Sequence, residues 1–100
     1  MSTIVITGST RGIGLGLAKE FLGNGHQVVV NGRTHEKVDE VLVQLKELGE
    51  VTGLAGSAAE SKTHQNLVDI AVKSFGKVDY YINNAGIPNP YMPLDRKSVV

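Results

Sequence analysis

The chain has 100 residues, 41% hydrophobic and 20% charged, which is enough apolar surface for one buried core and far from the polar composition of disorder. Ten Lys and Arg balance ten Asp and Glu, so bulk charge selects neither nucleic acid nor an acidic tail, and the absence of cysteine excludes disulfides, thiolate metal sites and thiol catalysis. No apolar run is long enough to span a membrane and "MSTIVITG" lacks the signs of a signal peptide, so the sequence reads as a cytoplasmic chain that starts directly with structure.

Thr3 to Thr7 is a short, wholly β-branched run that reads as nearly all buried, as a parallel strand covered on both faces would be. From Gly12 to about Leu22, Ile13, Leu17, Ala18, Phe21 and Leu22 recur at helical spacing, and Gly23-Asn24-Gly25 tolerates a left-handed stop. Gln27 to Asn31 is a second buried strand, ended by Gly32. Thr34 can cap a second helix, with Val38, Val41, Leu42, Leu45 and Leu48 as one apolar stripe and Gly49 just past its end. Val51 to Ala55 is a weaker third strand because Gly53 lowers its propensity. Ser61 caps a third helix reaching Phe75, with Leu67, Ile70, Ala71, Ser74 and Phe75 inward and Gly76 as its stop. Val78 to Ile82 is a fourth strand, followed by "NNAG" and a proline-rich loop, "IPNPYMPLDRK". Alternating strands and helices with short connections give, by the right-handed crossover rule, an α/β fold: a doubly wound parallel sheet with helices on both faces.

The glycines after strand one raise the question of a ligand. A strand feeding a helix through glycines suits a phosphate, because the first helical N–H groups lack internal partners and sit at the positive end of the helix dipole. A tight strand-to-helix turn with no ligand would use the same residues. No Gly-Lys-Ser/Thr occurs, which excludes the nucleoside-triphosphate loop. "GIGLG" at Gly12 to Gly16 fits the glycine pattern of many methyltransferases, but the acidic end of their first strand is replaced here by Thr7. Counting Gly-x-Gly-x-x-Gly from Gly12 lands on Leu17, so the common dinucleotide fingerprint fails. What remains is Thr7-Gly8-x-x-x-Gly12-x-Gly14.

"TGSTRGIG" followed far downstream by "FGKVDYYINNAG" resembles the cofactor-binding half of the short-chain dehydrogenase/reductase superfamily, over essentially the whole chain. The resemblance implies a Rossmann-type sheet of strand order 3-2-1-4 and an oxidoreductase moving a hydride between NADP(H) and a carbonyl or alcohol substrate. It implies that Gly8, Ser9, Thr10, Arg11, Gly12, Ile13 and Gly14 wrap the cofactor pyrophosphate. Asn83, Ala85 and Gly86 would lie beside the adenosine ribose, with Asn83 and Asn84 equally readable as braces of strand four.

Cofactor choice turns on the end of strand two, where a carboxylate accepts the ribose 2′-hydroxyl of NAD and an arginine favours the 2′-phosphate of NADP. The stretch is "VVVNGRT", Asn31, Gly32 and Arg33 included, with no Asp or Glu between Glu20 and Glu36. The family's acidic position falls on Gly32 and its arginine on Arg33, with Arg11 as a second cation. Either arginine alone reads as a solvated surface charge; together they favour NADP over NAD. The family's adenine-binding aspartate falls on Ser57, with Ala58 and Ala59 following, so that contact is weaker or made by backbone.

The family's catalysis uses a serine and a Tyr-x-x-x-Lys pair on a helix, where the cation brings the phenol toward neutrality. The residues four beyond Tyr80, Tyr81 and Tyr91 are Asn84, Ala85 and Asp95, so no catalytic residue is assigned. Tyr80 and Tyr81 read as packing residues, Tyr91 as a loop residue within reach of a substrate. His26, His35 and His64 stand outside any motif and read as surface residues; no metal site is expected. Residues 1–100 therefore read as one NAD(P)-binding Rossmann domain truncated in the helix after strand four, with catalytic residues following Val100. Strand four would otherwise be an open apolar edge. The alternative is a non-catalytic dinucleotide-binding or regulatory module. The resemblance also implies a small-molecule substrate, no nucleic-acid or membrane partner, and a homo-oligomer for the full-length protein.

Overall fold

The computed structural model describes residues 1–85 and 98–99. Its elements are β1 (Thr3–Ile6), α1 (Gly12–Gly23), β2 (Gln27–Gly32), α2 (His35–Leu45), β3 (Val51–Ala55), α3 (Ser61–Phe75), β4 (Tyr80–Ile82) and β5 (Ser98–Val99). The strands form one sheet in the order β3-β2-β1-β4-β5, every pair parallel. The expected 3-2-1-4 core is present.

Strand alternation decides what each face buries. Ile4 and Ile6 of β1 and Val28 and Val30 of β2 point to one side, where Ala18 and Leu22 of α1 and Val38, Val41 and Leu45 of α2 cover them. Val5 and Val29 point to the other, against Leu67 and Ala71 of α3 with Val78 and Tyr81. Both faces are covered, so β1 and β2 read as continuous apolar runs rather than alternating ones. From β1 the chain winds outward through β2 and β3, then returns to β4 on the opposite side of β1. That reversal opens a crevice beyond the carboxyl ends of β1 and β4, where α/β sheets of this kind hold ligands.

Several local expectations change. Helix α2 ends at Leu45, so Leu48 lies in the following turn, 46% exposed, and does not extend the stripe. Thr34 does cap α2, its hydroxyl accepting from the Lys37 N–H at 3.2 Å. Ser61 is the first helical residue of α3 rather than its cap; Glu60 takes that place with no side-chain bond. Ser74 is exposed. Gly76 stops α3 at φ +85°, a left-handed value that glycine takes without strain. Strand β4 begins at Tyr80, two residues later than the pattern suggests, although Val78 is buried. It is not an open edge either, because Tyr80 and Tyr81 pair with Ser98 and Val99, and these two residues are a strand rather than part of a helix.

The largest departure is His64. It is 7% exposed, not a surface residue, and its ring is hydrogen-bonded at both nitrogens, to the Tyr81 hydroxyl and to the Ala58 carbonyl. Tyr81 is buried as expected, while Tyr80 is 42% exposed.

Candidate functional site

Strand β1 ends at Ile6, and Thr7 continues it by donating its N–H to the Ile82 carbonyl at 3.0 Å. Thr7 is fully buried, so its hydroxyl needs partners, and both come from the segment after β4. The hydroxyl donates to Asn83 Oδ1 at 3.1 Å and accepts the Ala85 N–H at 3.1 Å. Asn84 Nδ2 donates to the Gly8 carbonyl at 3.1 Å. The glycine turn and "NNAG" are thus two halves of one assembly.

Glycine is required in that assembly for two reasons. Gly8 and Gly12 adopt φ +59° and +60°. Gly14 is buried in the first turn of α1, where a Cβ would run into the Gly8 carbonyl and lie 2.6 Å from Asn84 Nδ2. Helix α1 is therefore pressed against the turn, and no side chain caps its N-terminus. Its first N–H donors face outward without a side-chain acceptor, unlike those of α2, which Thr34 caps.

A groove of about 720 Å³ runs beside this turn. Its floor is Gly8, Thr10, Arg11 and Gly12 with Asn84 and Ala85; one wall is Asn31, Gly32, Arg33, Thr34 and Lys37; the other is Gly56, Ser57, Ala58 and Ala59. Arg11, Arg33 and Lys37 are exposed cations on it, and among the described residues no acidic one lines it. The position where an acidic residue was expected for NAD is crowded as well, because a Cβ on Gly32 would meet the Thr10 methyl.

Asn31 holds the two walls together. It is 1% exposed; its Oδ1 accepts the Gly8 N–H at 3.1 Å, and its Nδ2 donates to the Leu54 and Gly56 carbonyls at 3.2 and 3.1 Å. Ser9 is fully buried beneath it, donating to the Ile6 carbonyl at 2.8 Å and accepting the Asn31 N–H at 2.9 Å.

Of the residues expected at the site, Gly8, Thr10, Arg11, Gly12, Asn31, Gly32, Arg33, Ser57, Ala58 and Ala85 meet at the groove. Ser9, Gly14 and Asn83 support it from behind, and Ile13 points away to solvent. Gly86 lies outside the described residues. Thr34, Lys37, Gly56 and Ala59 line the groove without having been expected there. Lys37 follows the capping Thr34 by three residues, so the first turn of α2 carries a cation next to Arg33, a signal present in "GRTHEK". Among the described residues no group of His, Asp and Glu could hold a metal, and no helix is long and apolar enough to cross a membrane.

A family profile described as short chain dehydrogenase matches residues 2–98. The "Dehydrogenase/reductase SDR family member 4" of Caenorhabditis elegans is 40% identical over 88 residues, covering 86% of this chain and 34% of that protein. The chlorophyll(ide) b reductase NOL, chloroplastic, of Oryza sativa subsp. japonica is 45% identical over 86 residues, covering 83% of this chain and 25% of the relative. Among solved structures, L-sorbose reductase from Gluconobacter frateurii, complexed with NADPH and L-sorbose, superposes with a TM-score of 0.80 at 31% identity, over 95% of this chain and 37% of that one. The chain belongs to the short-chain dehydrogenase family. It spans between 22% and 42% of the length of the curated relatives it matches.

Proposed function

We propose that this short-chain dehydrogenase chain is one NAD(P)-binding Rossmann domain, residues 1–100, that holds NADP(H) in the groove between the glycine turn and the β3–α3 loop. It would serve an oxidoreductase that moves a hydride between that cofactor and a carbonyl or alcohol substrate. The observation that carries the reading is the groove itself: a helix N-terminus without a side-chain cap beside a cradle with three cations and, among the described residues, no carboxylate. The neighbour solved with NADPH supports the choice of cofactor.

When bound, NADP(H) supplies or accepts the hydride. The residues of this chain bind and orient it. Gly8 and Ser9 donate their N–H groups to Asn31 and shape the turn, so the pyrophosphate is taken by the backbone N–H groups from Thr10 onward and those of the first turn of α1. Arg33, Arg11 and Lys37 take the 2′-phosphate, with the Thr34 hydroxyl beside them. Ser57 and Ala58 face the adenine, and Ala85 and Asn84 close the ribose side. No tyrosine of the chain has lysine four residues on, so residues 1–100 alone are expected to bind without turnover. Proton transfer would come from residues beyond them, and the same feature favours a non-catalytic binding module as the second reading. A cytoplasmic setting and a homo-oligomeric full-length protein complete the proposal.

Calorimetry with NADPH and NADH tests it. NADPH should bind about tenfold more tightly, since a charge-assisted contact contributes roughly 1.5–3 kcal/mol, and Arg33→Asp should erase the difference. Equal dissociation constants for the two cofactors would remove the assignment.

A further inference from the structure

The groove wall formed by the β3–α3 loop lacks the carboxylate that the family resemblance places at Ser57, yet the loop is held firmly. Gly56 donates its N–H to the Gly32 carbonyl at 2.9 Å, and the Ser57 hydroxyl accepts the Ala59 N–H at 3.2 Å. The peptide joining Ala58 to Ala59 is therefore restrained at its N–H by Ser57. Its carbonyl is restrained from the other side: His64 Nε2 lies 2.7 Å from the Ala58 oxygen.

That contact places one proton of the imidazole. A carbonyl only accepts, so Nε2 carries hydrogen, and Nδ1 faces the Tyr81 hydroxyl. Burial pushes the Tyr81 phenol well above its ordinary value, which keeps it a donor. Tyr81 is 2% exposed in β4, one residue before Ile82, whose carbonyl receives the Thr7 N–H. A chain of polar contacts thus runs from β4 through His64 to Ala58 at the groove, and both rings are buried with every polar atom satisfied.

We propose that His64 is a positioning residue for the adenine side of the groove: by holding the Ala58 carbonyl from the α3 side, it presets the wall where a carboxylate is missing. The inference rests on the groove being a nucleotide site. His64 touches no ligand; its effect is transmitted through the Ala58 backbone.

The test uses adenosine 2′,5′-bisphosphate, which carries adenosine and phosphate but no nicotinamide, titrated calorimetrically into the chain and two variants. In His64→Gln the side-chain amide reaches the Nε2 position and can donate to Ala58; in His64→Asn it ends at the Nδ1 position and can meet only Tyr81. Asparagine should weaken binding about three- to tenfold, the worth of one ordering hydrogen bond, while glutamine stays within about twofold of the parent. Melting temperature is measured in parallel, since a purely structural role predicts that affinity follows stability in both variants. Equal affinities in the two variants, with a parent that binds, would overturn the positioning role and leave the cofactor reading intact. A parent that does not bind would overturn both. Should both variants fail to fold, ¹⁵N spectra of the parent decide: a protonated Nε2 and ring signals that shift as adenosine 2′,5′-bisphosphate is added support the proposal. The opposite tautomer, or signals that do not move, overturns it.

Discussion

Replacing Asn31 with alanine should cost more stability than any change on the groove's rim. The side chain accepts from Gly8 N–H and donates to the carbonyls of Leu54 and Gly56, all between 3.1 and 3.2 Å, while a fourth contact, to the Gly32 carbonyl at 3.5 Å, is too long to count. Three part-buried hydrogen bonds at about 1 kcal/mol each set the scale, and the groups left behind raise it, because alanine offers Gly8 no acceptor. The expected loss is about 3–4 kcal/mol. For a domain whose whole stability is of order 5–15 kcal/mol this is a large fraction, and the melting temperature should fall by about 15 °C or more. The control is Gln44→Ala on the exposed face of α2, which should change the midpoint by about 4 °C or less. Circular dichroism melts of the parent and both variants give the comparison, with urea titration at 25 °C to separate a change of midpoint from a change of slope. An Asn31→Ala midpoint within about 2 °C of the parent would mean that the two groove walls are held by something other than this side chain.

Three further outcomes follow from the same geometry. Gly14→Ala should destabilise the fold by about 1–3 kcal/mol, since its Cβ meets the Gly8 carbonyl and Asn84, whereas Gly16→Ala two residues on, with open space around it, should stabilise α1 by up to about 1 kcal/mol; paired thermal melts check both. Tyr81, held protonated in the fold by burial, contributes stability that is intact below its unfolded pKa near 10 and is lost as pH rises above it, because the unfolded chain then releases a proton that the folded one retains. Denaturant midpoints should fall above about pH 10 in the parent and less steeply in Tyr81→Phe. Mixed with NADPH and a panel of aldehydes and ketones, the 100-residue chain should show no oxidation at 340 nm; steady turnover would reveal a proton-transfer group that the absence of Tyr-x-x-x-Lys conceals.

The parts of the fold legible in the sequence are those where one residue type has few alternatives. The β-branched runs of β1 and β2 are buried on both faces, and the stripe of Val38, Val41 and Leu45 reports helical period and inner face together. Gly76 ends α3 because its φ of +85° excludes most side chains. What periodicity cannot report is the direction of a loop side chain. Ser9 and Thr10 are neighbours of similar chemistry, yet Ser9 turns under Asn31 and Thr10 faces the groove. His64 was legible in part: it precedes Leu67 by three residues and Ala71 by seven, so it shares their buried stripe on α3. Reading it as a surface residue rests on the lack of a motif around it and passes over its spacing, and neither signal reports its partners, Ala58 in the preceding loop and Tyr81 on β4.

The interlock between the glycine turn and "NNAG" bears on which groups remain for a ligand. Thr7 and Asn83 are 76 residues apart, and each side chain answers the other's polarity inside the protein. The Thr7 hydroxyl is used as both donor and acceptor, Asn83 Oδ1 is taken by it, and Asn84 Nδ2 is taken by the Gly8 carbonyl. The conspicuous polar side chains of both motifs are therefore committed to holding the turn in shape. Gly8 and Ser9 spend their N–H groups on Asn31, so on the proposed reading the phosphate oxygens would meet the backbone N–H groups from Thr10 into α1, which do not distinguish one dinucleotide from another. On that reading discrimination would come from the rim, where Arg11, Arg33 and Lys37 are exposed and no acidic residue among the described ones lines the groove. Such charges are screened by salt over roughly 8–10 Å at physiological strength, so a preference for the doubly charged 2′-phosphate should weaken as salt is added while pyrophosphate binding changes less. On the NADP(H) reading proposed above the work would be divided: the buried motifs hold the turn in shape, and three surface cations would decide which dinucleotide it accepts.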